Sequence, residues 1–183
     1  MEVSSIQGKF LYLLAKIKNA KRIFELGTFC GYSTIWLARA VPEDGIVLSL
    51  EYVQEHIDIA KKNIGFAGLT RKVRIVHGDA SAILNKLIKE KEEPFDLIFI
   101  DADKPNYSKY LELSLKLSKS GTIIYGDNVI RNGELCNIDT VDEKVKGVQS
   151  FINDLGNSKV IESISLQTVG IKGYDGFTFS VVT

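Results

Sequence analysis

The chain is poor in cysteine, proline and histidine, and it carries no surplus of either charge. Its two cysteines, Cys30 and Cys136, lie far apart without C-x-x-C or Cys/His spacing, which excludes a zinc finger or a disulfide framework and fits a reducing cytosol. Three prolines and 25% charged residues are ordinary for a globular protein and exclude collagen-like, low-complexity and disordered classes. Lys+Arg and Asp+Glu number 23 each, so no global field draws in a polyanion, and nucleic acid is not the default partner. No apolar run reaches the roughly 20 residues of a membrane span, and lysines interrupt the apolar residues of the N-terminus, so no signal-peptide core is present. These absences predict a cytoplasmic protein with no membrane partner. A length of 183 residues with 45% hydrophobic content predicts a single domain over residues 1–183 that closes its own core.

Short apolar runs alternate with longer amphipathic ones. Strands are predicted at 22–26, 46–50, 73–76, 95–100 and 122–125, and helices at 32–40, 54–66, 80–90 and 107–117, where apolar residues recur at three- and four-residue steps. Five such βα repeats predict an α/β fold with a Rossmann-like, doubly wound and mostly parallel sheet. A further helix is predicted at 142–155. Beyond it, β-rich runs at 160–166 and 177–182 are separated by Gly170, Gly173 and Gly176 with no helix between them, so they pair as an antiparallel hairpin. The polar stretch 131–140 reads as a surface loop.

In open α/β sheets ligands sit beyond the carboxyl ends of the strands. The first strand runs into Glu25-Leu26-Gly27-Thr28-Phe29-Cys30-Gly31-Tyr32-Ser33, a glycine turn feeding a helix. Its G-x-x-x-G spacing differs from the G-x-G-x-x-G of pyrophosphate binders, which argues against a nicotinamide or flavin dinucleotide. Glu51 ends the second strand, 24 residues past Gly27, where an acid can accept both hydroxyls of a ribose or simply favour a helix N-terminus. Asp79 follows the third strand, placed either to meet an adenine amino group or to cap the next helix. His77 is read as structural.

The fourth and fifth strand ends carry Asp101-Ala102-Asp103-Lys104 and Gly126-Asp127-Asn128. Carboxylates crowded at neighbouring buried strand ends repel one another unless a cation sits among them. Oxygen donors without His or Cys select a hard ion such as Mg²⁺, Mn²⁺ or Ca²⁺ over zinc. Lys104 is an alternative neutraliser in a purely structural network.

Taken together, E-L-G-T-F-C-G-Y-S, S-L-E, G-D-A, D-A-D-K-x-N-Y and G-D-N-V-I-x-N-G resemble, in order and spacing, the cation-dependent class I O-methyltransferases that include catechol and caffeoyl-CoA O-methyltransferases. The similarity runs from about Gln7 to Phe177. The resemblance implies a seven-stranded sheet with an antiparallel last strand and S-adenosylmethionine as methyl donor. It places Glu25, Gly27, Tyr32 and Ser33 on the methionyl side, Glu51 on the ribose, Asp79 and Ala80 beside the adenine, and Asp103 at the methionine end. It implies that Asp101, Asp127 and Asn128 are metal ligands, that Lys104 is the general base, and that Asp101 shares the catalytic centre. Family members usually carry further helical sequence before the position of Gln7. The acceptor pocket is therefore expected either to be more open or to be covered by residues 1–18, and a homodimer is consistent with the family. Trp36 and Tyr110 read as helix-face packing.

The leading expectation is a divalent-cation-dependent O-methyltransferase acting on a small catechol-type phenolic acceptor. Two others stand beside it: O-methylation of a hydroxylated tRNA uridine, which the neutral charge disfavours, and a non-catalytic S-adenosylmethionine-binding protein. A nicotinamide oxidoreductase is a distant fourth.

Overall fold

The structure, a computed structural model, describes residues 2–170 and 173–183. Strands β1 (Arg22–Leu26), β2 (Ile46–Glu51), β3 (Val73–His77), β4 (Leu97–Ile100), β5 (Ile123–Asp127), β6 (Ile161–Gly170) and β7 (Gly173–Val182) form one sheet in the order β3-β2-β1-β4-β5-β7-β6. The first five are parallel; β7 runs antiparallel to both β5 and β6. Helices α1 (Ser5–Ile17), α2 (Tyr32–Ala40), α3 (Gln54–Phe66), α4 (Ala80–Lys89), α5 (Tyr107–Lys116) and α6 (Glu143–Asn157) surround it. This is the doubly wound, mostly parallel sheet with an antiparallel end that the sequence pattern predicts.

Apolar residues dominate the central strands because both faces are covered, with Glu25 and Ser49 as buried polar exceptions. Two apolar clusters result. One, on the α4–α5–α6 side, gathers Phe24, Phe95, Ile98, Tyr107, Tyr110 and Phe151. The other, towards α1–α2–α3, gathers Leu11, Ile23, Leu37, Val47, Phe99 and Tyr125. The chain leaves β1 towards β2 on one side and reaches β4 on the other, so β1 and β4 flank the point where strand order reverses. A crevice opens there beyond Leu26 and Ile100, which pair directly.

Three elements differ from the sequence reading. Residues 5–17 form a helix that the apolar spacing alone did not mark. Its start is fixed by a capping box, in which the Gln7 N–H donates to Ser4 Oγ (3.2 Å) and the Ser4 N–H to Gln7 Oε1 (3.1 Å). The hairpin strands extend to 161–170 and 173–182, so Gly173 and Gly176 lie within the ladder rather than between strands. Main-chain pairing continues there without side-chain burial, since β6 is exposed along most of its length. The stretch after β5 contains a kinked 3-10 segment, Arg131–Cys136, rather than only open loop.

Candidate active site

Local geometry at the β1–α2 turn makes room for a ligand. Gly27 has φ +100°, and a Cβ there would stand 2.1 Å from the Asp101 carbonyl oxygen, so only glycine lets the β1 and β4 ends approach this closely. Beneath the turn Glu25 is wholly buried. Ser33 donates to its Oε1 (2.6 Å), and Thr34 and Ser49 donate to its Oε2 (2.5 Å each). Burial outweighs these hydroxyls and pushes its carboxyl up to about 7. Glu25 therefore braces the turn from below and fixes Ser33, rather than facing the crevice.

Beyond the strand ends lie two adjoining cavities. One, of about 430 Å³, is lined by Gly27, Glu51, Asp79, Ala80 and Asp103 together with Phe29, His56 and Tyr110. The other, of about 260 Å³, is lined by Gly27, Tyr32, Ser33, Asp101, Lys104 and Asn128. Val3 and Thr28 complete its wall, which brings the N-terminal segment to the site. A third and larger cavity, about 760 Å³, opens beside Phe29 and Tyr32 against α3.

Asp79 does both things its position allows. It accepts the Ala82 N–H at 2.8 Å as the N-cap of α4, and it lines the first cavity. Asp103 stands on the same wall, its oxygens taken by the Tyr110 hydroxyl and the Asn106 amide. Tyr110 is thus more than packing: burial and Asp103 push its phenol up, so it remains a donor that orients Asp103. Trp36, by contrast, packs edge-on against Tyr12 of α1 at 6.2 Å.

The charged centre is assembled from two strand ends held in register, with Ile100 opposite Gly126. Lys104 is buried, and its Nζ donates to Asp101 Oδ1 at 3.0 Å and to the Tyr107 hydroxyl. Gly147 of α6 permits this turn to be clamped, since a Cβ there would lie 2.3 Å from the Lys104 carbonyl oxygen. Tyr107 hydroxyl contacts the carbonyl oxygens of Ile100 and Asp127, 3.0 Å each, and so ties β4 to β5. Asp127 is buried, and among the described side chains its Oδ1 accepts only a 3.2 Å bond from Gln7 Nε2 of α1. Burial, and after it the charge of Asp101, pushes the Asp127 carboxyl up to about 7. Lys104 consequently neutralises Asp101 and leaves Asp127 undercompensated. Among the described residues no three His, Cys, Asp or Glu side chains gather as a metal centre; the oxygen donors at hand are two carboxylates and the amide of Asn128. That set fits a hard divalent ion, whose charge would offset the repulsion between Asp101 and Asp127.

Gln7 and Tyr107 were missed by motif reading. Tyr107 gives no sequence signal apart from its place in D-A-D-K-x-N-Y, whereas the S-x-x-Q capping pattern could have placed Gln7 on a helix start.

A model of the family described as O-methyltransferase matches residues 1–180. The chain belongs to the O-methyltransferase family. It is 48% identical to the catechol O-methyltransferase of Niastella koreensis over 182 residues, covering 100% of this chain and 82% of that protein. Among solved structures it superposes with a TM-score of 0.97 on an O-methyltransferase from Bacillus cereus in complex with S-adenosylhomocysteine, at 48% identity and covering 100% of this chain and 83% of that one. A Streptomyces achromogenes O-methyltransferase in complex with S-adenosylmethionine gives the same TM-score at 42% identity, covering 100% and 82%. The resemblance read from the sequence motifs is thereby borne out at the level of family and fold: this is a class I, S-adenosylmethionine-dependent O-methyltransferase. Among the described residues no helix is long and apolar enough to cross a membrane.

Proposed function

We propose that this O-methyltransferase transfers the methyl group of S-adenosylmethionine to one hydroxyl of a small catechol-type acceptor, with a hard divalent cation held by Asp101, Asp127 and Asn128. The observation that carries the reading is the charge imbalance at the β4 and β5 ends, where one lysine faces the buried carboxylate of Asp127 and the half-buried one of Asp101 and is already committed to Asp101. The name of the Niastella relative supports the acceptor class. The ligands bound to the Bacillus and Streptomyces structures support the donor.

S-adenosylmethionine supplies an electrophilic methyl carbon, and a divalent cation supplies a lower pKa and a fixed orientation for hydroxyl oxygens bound to it. The protein's own groups do the rest. Glu51 accepts hydrogen bonds from ribose hydroxyls, while Asp79 and Ala80 border the adenine. Asp103, steadied by Tyr110 and Asn106, closes the wall between them and the transfer site. Gly27, Tyr32 and Ser33 frame the methionyl side, with Glu25 setting Ser33 from beneath. Lys104 Nζ, fixed by Asp101 and Tyr107, is the group placed to take the proton from the attacking hydroxyl, which requires that it first release its own ammonium proton to solvent; the methyl–oxygen bond then forms as the sulfur–methyl bond breaks.

The test is a labelled methyl-transfer screen over catechols, caffeoyl-type esters and bulk tRNA, each with Mg²⁺ and with EDTA. Label in a catechol or caffeoyl ester only when Mg²⁺ is present is the expected result. Label in tRNA, or transfer indifferent to EDTA, would sink the acceptor or the cation assignment respectively.

A further inference from the structure

The two edges of the sheet are built differently. β3 has five residues and carries the exposed Arg74. β6 has ten, with Glu162 as its single charge and no proline. Sheets ordinarily blunt an open edge with a short strand, charges, proline or a bulge. Past Glu162, β6 has none of these: its pairing with β7 runs without a bulge from Ile161 opposite Val182 to Gly170 opposite Gly173. Ile164, Leu166 and Val169 are exposed by 52%, 42% and 80%. Ile164 and Leu166 stand opposite Phe179 and Phe177, so they carry that apolar face outward to the edge.

The direction of the main-chain groups along this edge follows from β7. The Val182 N–H donates to the Thr122 carbonyl at 2.9 Å, and the Val182 carbonyl accepts the Gly121 N–H at 2.7 Å, so Val182 spends both groups on the β5 side. In an antiparallel ladder the N–H and C=O of one residue point the same way, and directly opposed pairs alternate between bonded and non-bonded. Ile161, opposite Val182, therefore turns its groups away from β7, and so do Ser163, Ser165, Gln167 and Val169. Val160 agrees, since its carbonyl turns inward to the Thr183 N–H at 3.0 Å. A strand laid antiparallel on this edge must bring outward-directed residues opposite one another. With Ser165 opposite Ser165 of a second copy, Ile164 meets Leu166, Ile161 meets Val169, Ser163 meets Gln167 and Glu162 meets Thr168. Every apolar residue then faces an apolar one, and Glu162 faces no like charge. Moving the centre by one residue sets Glu162 against Leu166 in one direction and Ser163 against Val169 in the other. The strand is complementary to itself in one register, which is what twofold pairing requires.

We propose that β6 pairs antiparallel with β6 of a second copy of this chain, about a twofold at Ser165, joining two seven-stranded sheets into one. The pairing forms about ten main-chain hydrogen bonds, the number a typical stable interface carries, and covers Ile164, Leu166 and Val169. It also steadies the hairpin end that reaches the active site. Asp175, opposite Thr168, accepts on Oδ1 the N–H groups of Ile130 (3.0 Å) and Arg131 (2.9 Å), and Arg131 is held at φ +53° three residues after Asn128.

Sedimentation velocity of the full chain over a concentration series tests this. The expected species has twice the 20.3 kDa of one chain. Ser165→Pro removes an outward N–H at the centre of the pairing and costs the β7 ladder no bond, so it is expected to raise the dimer dissociation constant at least roughly 10-fold. Ile164→Lys and Leu166→Glu are each expected to weaken the dimer as well. Their combination sets the new lysine of one copy against the new glutamate of the other and should recover it. Binding of S-adenosylhomocysteine checks that each variant is folded; if Ser165→Pro is not, the charge variants decide. A wild-type chain that stays monomeric even at high micromolar concentration overturns the proposal. So does a dimer indifferent to Ser165→Pro and to both charge variants, since its interface would then lie on another face. Dissociation in the single charge variants without recovery in the double overturns the register.

Discussion

The backbone N–H of Phe29 donates to Oε2 of Glu51 at 2.8 Å. Phe29 has φ +47°, a conformation costing about 1–2 kcal/mol for a residue with a Cβ, and its side chain borders all three cavities. The other oxygen of Glu51 accepts from the N–H groups of Tyr52 and Val53 at 3.1 and 3.0 Å and lies 3.2 Å from His56 Nδ1. One carboxylate thus fixes the wall of the crevice and leaves acceptor capacity on Oε2 for a ligand. Glu51→Ala is expected to weaken S-adenosylhomocysteine binding by roughly 10- to 100-fold, the range for losing hydrogen bonds to a charged group. Calorimetric titration checks this, and wild-type affinity would refute the assignment.

Helix α1 reaches the charged centre through Gln7, and its seat depends on Gly8. A Cβ at position 8 would come within 2.3 Å of the Trp36 indole. Alanine is worth about 1 kcal/mol over glycine inside a helix, but overpacking a rigid indole costs about 1–3 kcal/mol, so the clash wins. Gly8→Ala is expected to lower the thermal midpoint by several degrees, and adding Trp36→Leu should recover part of the loss. A Gly8→Ala protein as stable as wild type would show that α1 is seated otherwise.

The pH dependence of stability has a definite sign at Glu25. Its carboxyl is raised from 4.5 to about 7 in the folded protein, so between those values the folded chain keeps a proton that the unfolded chain has lost. Stability is then fully present below about 4.5 and declines as pH rises through about 7, by on the order of 3 kcal/mol. Asp127 shifts in the same direction, so the contrast with Glu25→Gln isolates this residue. Denaturant midpoints for the variant, measured with EDTA present, should fall less steeply over that window than those of wild type. Parallel curves would assign the slope elsewhere.

Removal of Asp127 separates the two halves of the site. Asp127→Ala is expected to reduce Mg²⁺-dependent turnover by at least roughly 100-fold and leave S-adenosylhomocysteine affinity within a few-fold of wild type, because the cavity proposed above for the adenosyl group does not include that residue. Turnover near the wild-type rate would remove it from the cation site.

Most of the architecture was legible because buried strands and amphipathic helices carry distinct periods. Helices 32–40 and 54–66 fall where the spacing places them. The hairpin ends did not, since glycine is a turn signal in a sequence but pairs by backbone alone on an exposed edge. At the site, position along the chain marked the acids that follow each strand, yet it did not distinguish those lining a cavity from those bracing it. Glu25 and Asp103 differ from one another in burial and partners, not in any local pattern.

The sequence by itself determined the order of βα units, the antiparallel finish and the set of strand-end residues, because these depend on side-chain periodicity and on the rule that strand ends converge. Tertiary structure alone decided that Lys104 is spent on Asp101, that Gln7 crosses 120 residues to reach Asp127, and that Asp175 holds Arg131 in a strained turn. Those are contacts between distant segments, and charge balance inside a protein is set by which groups share a buried space rather than by which lie near one another along the chain.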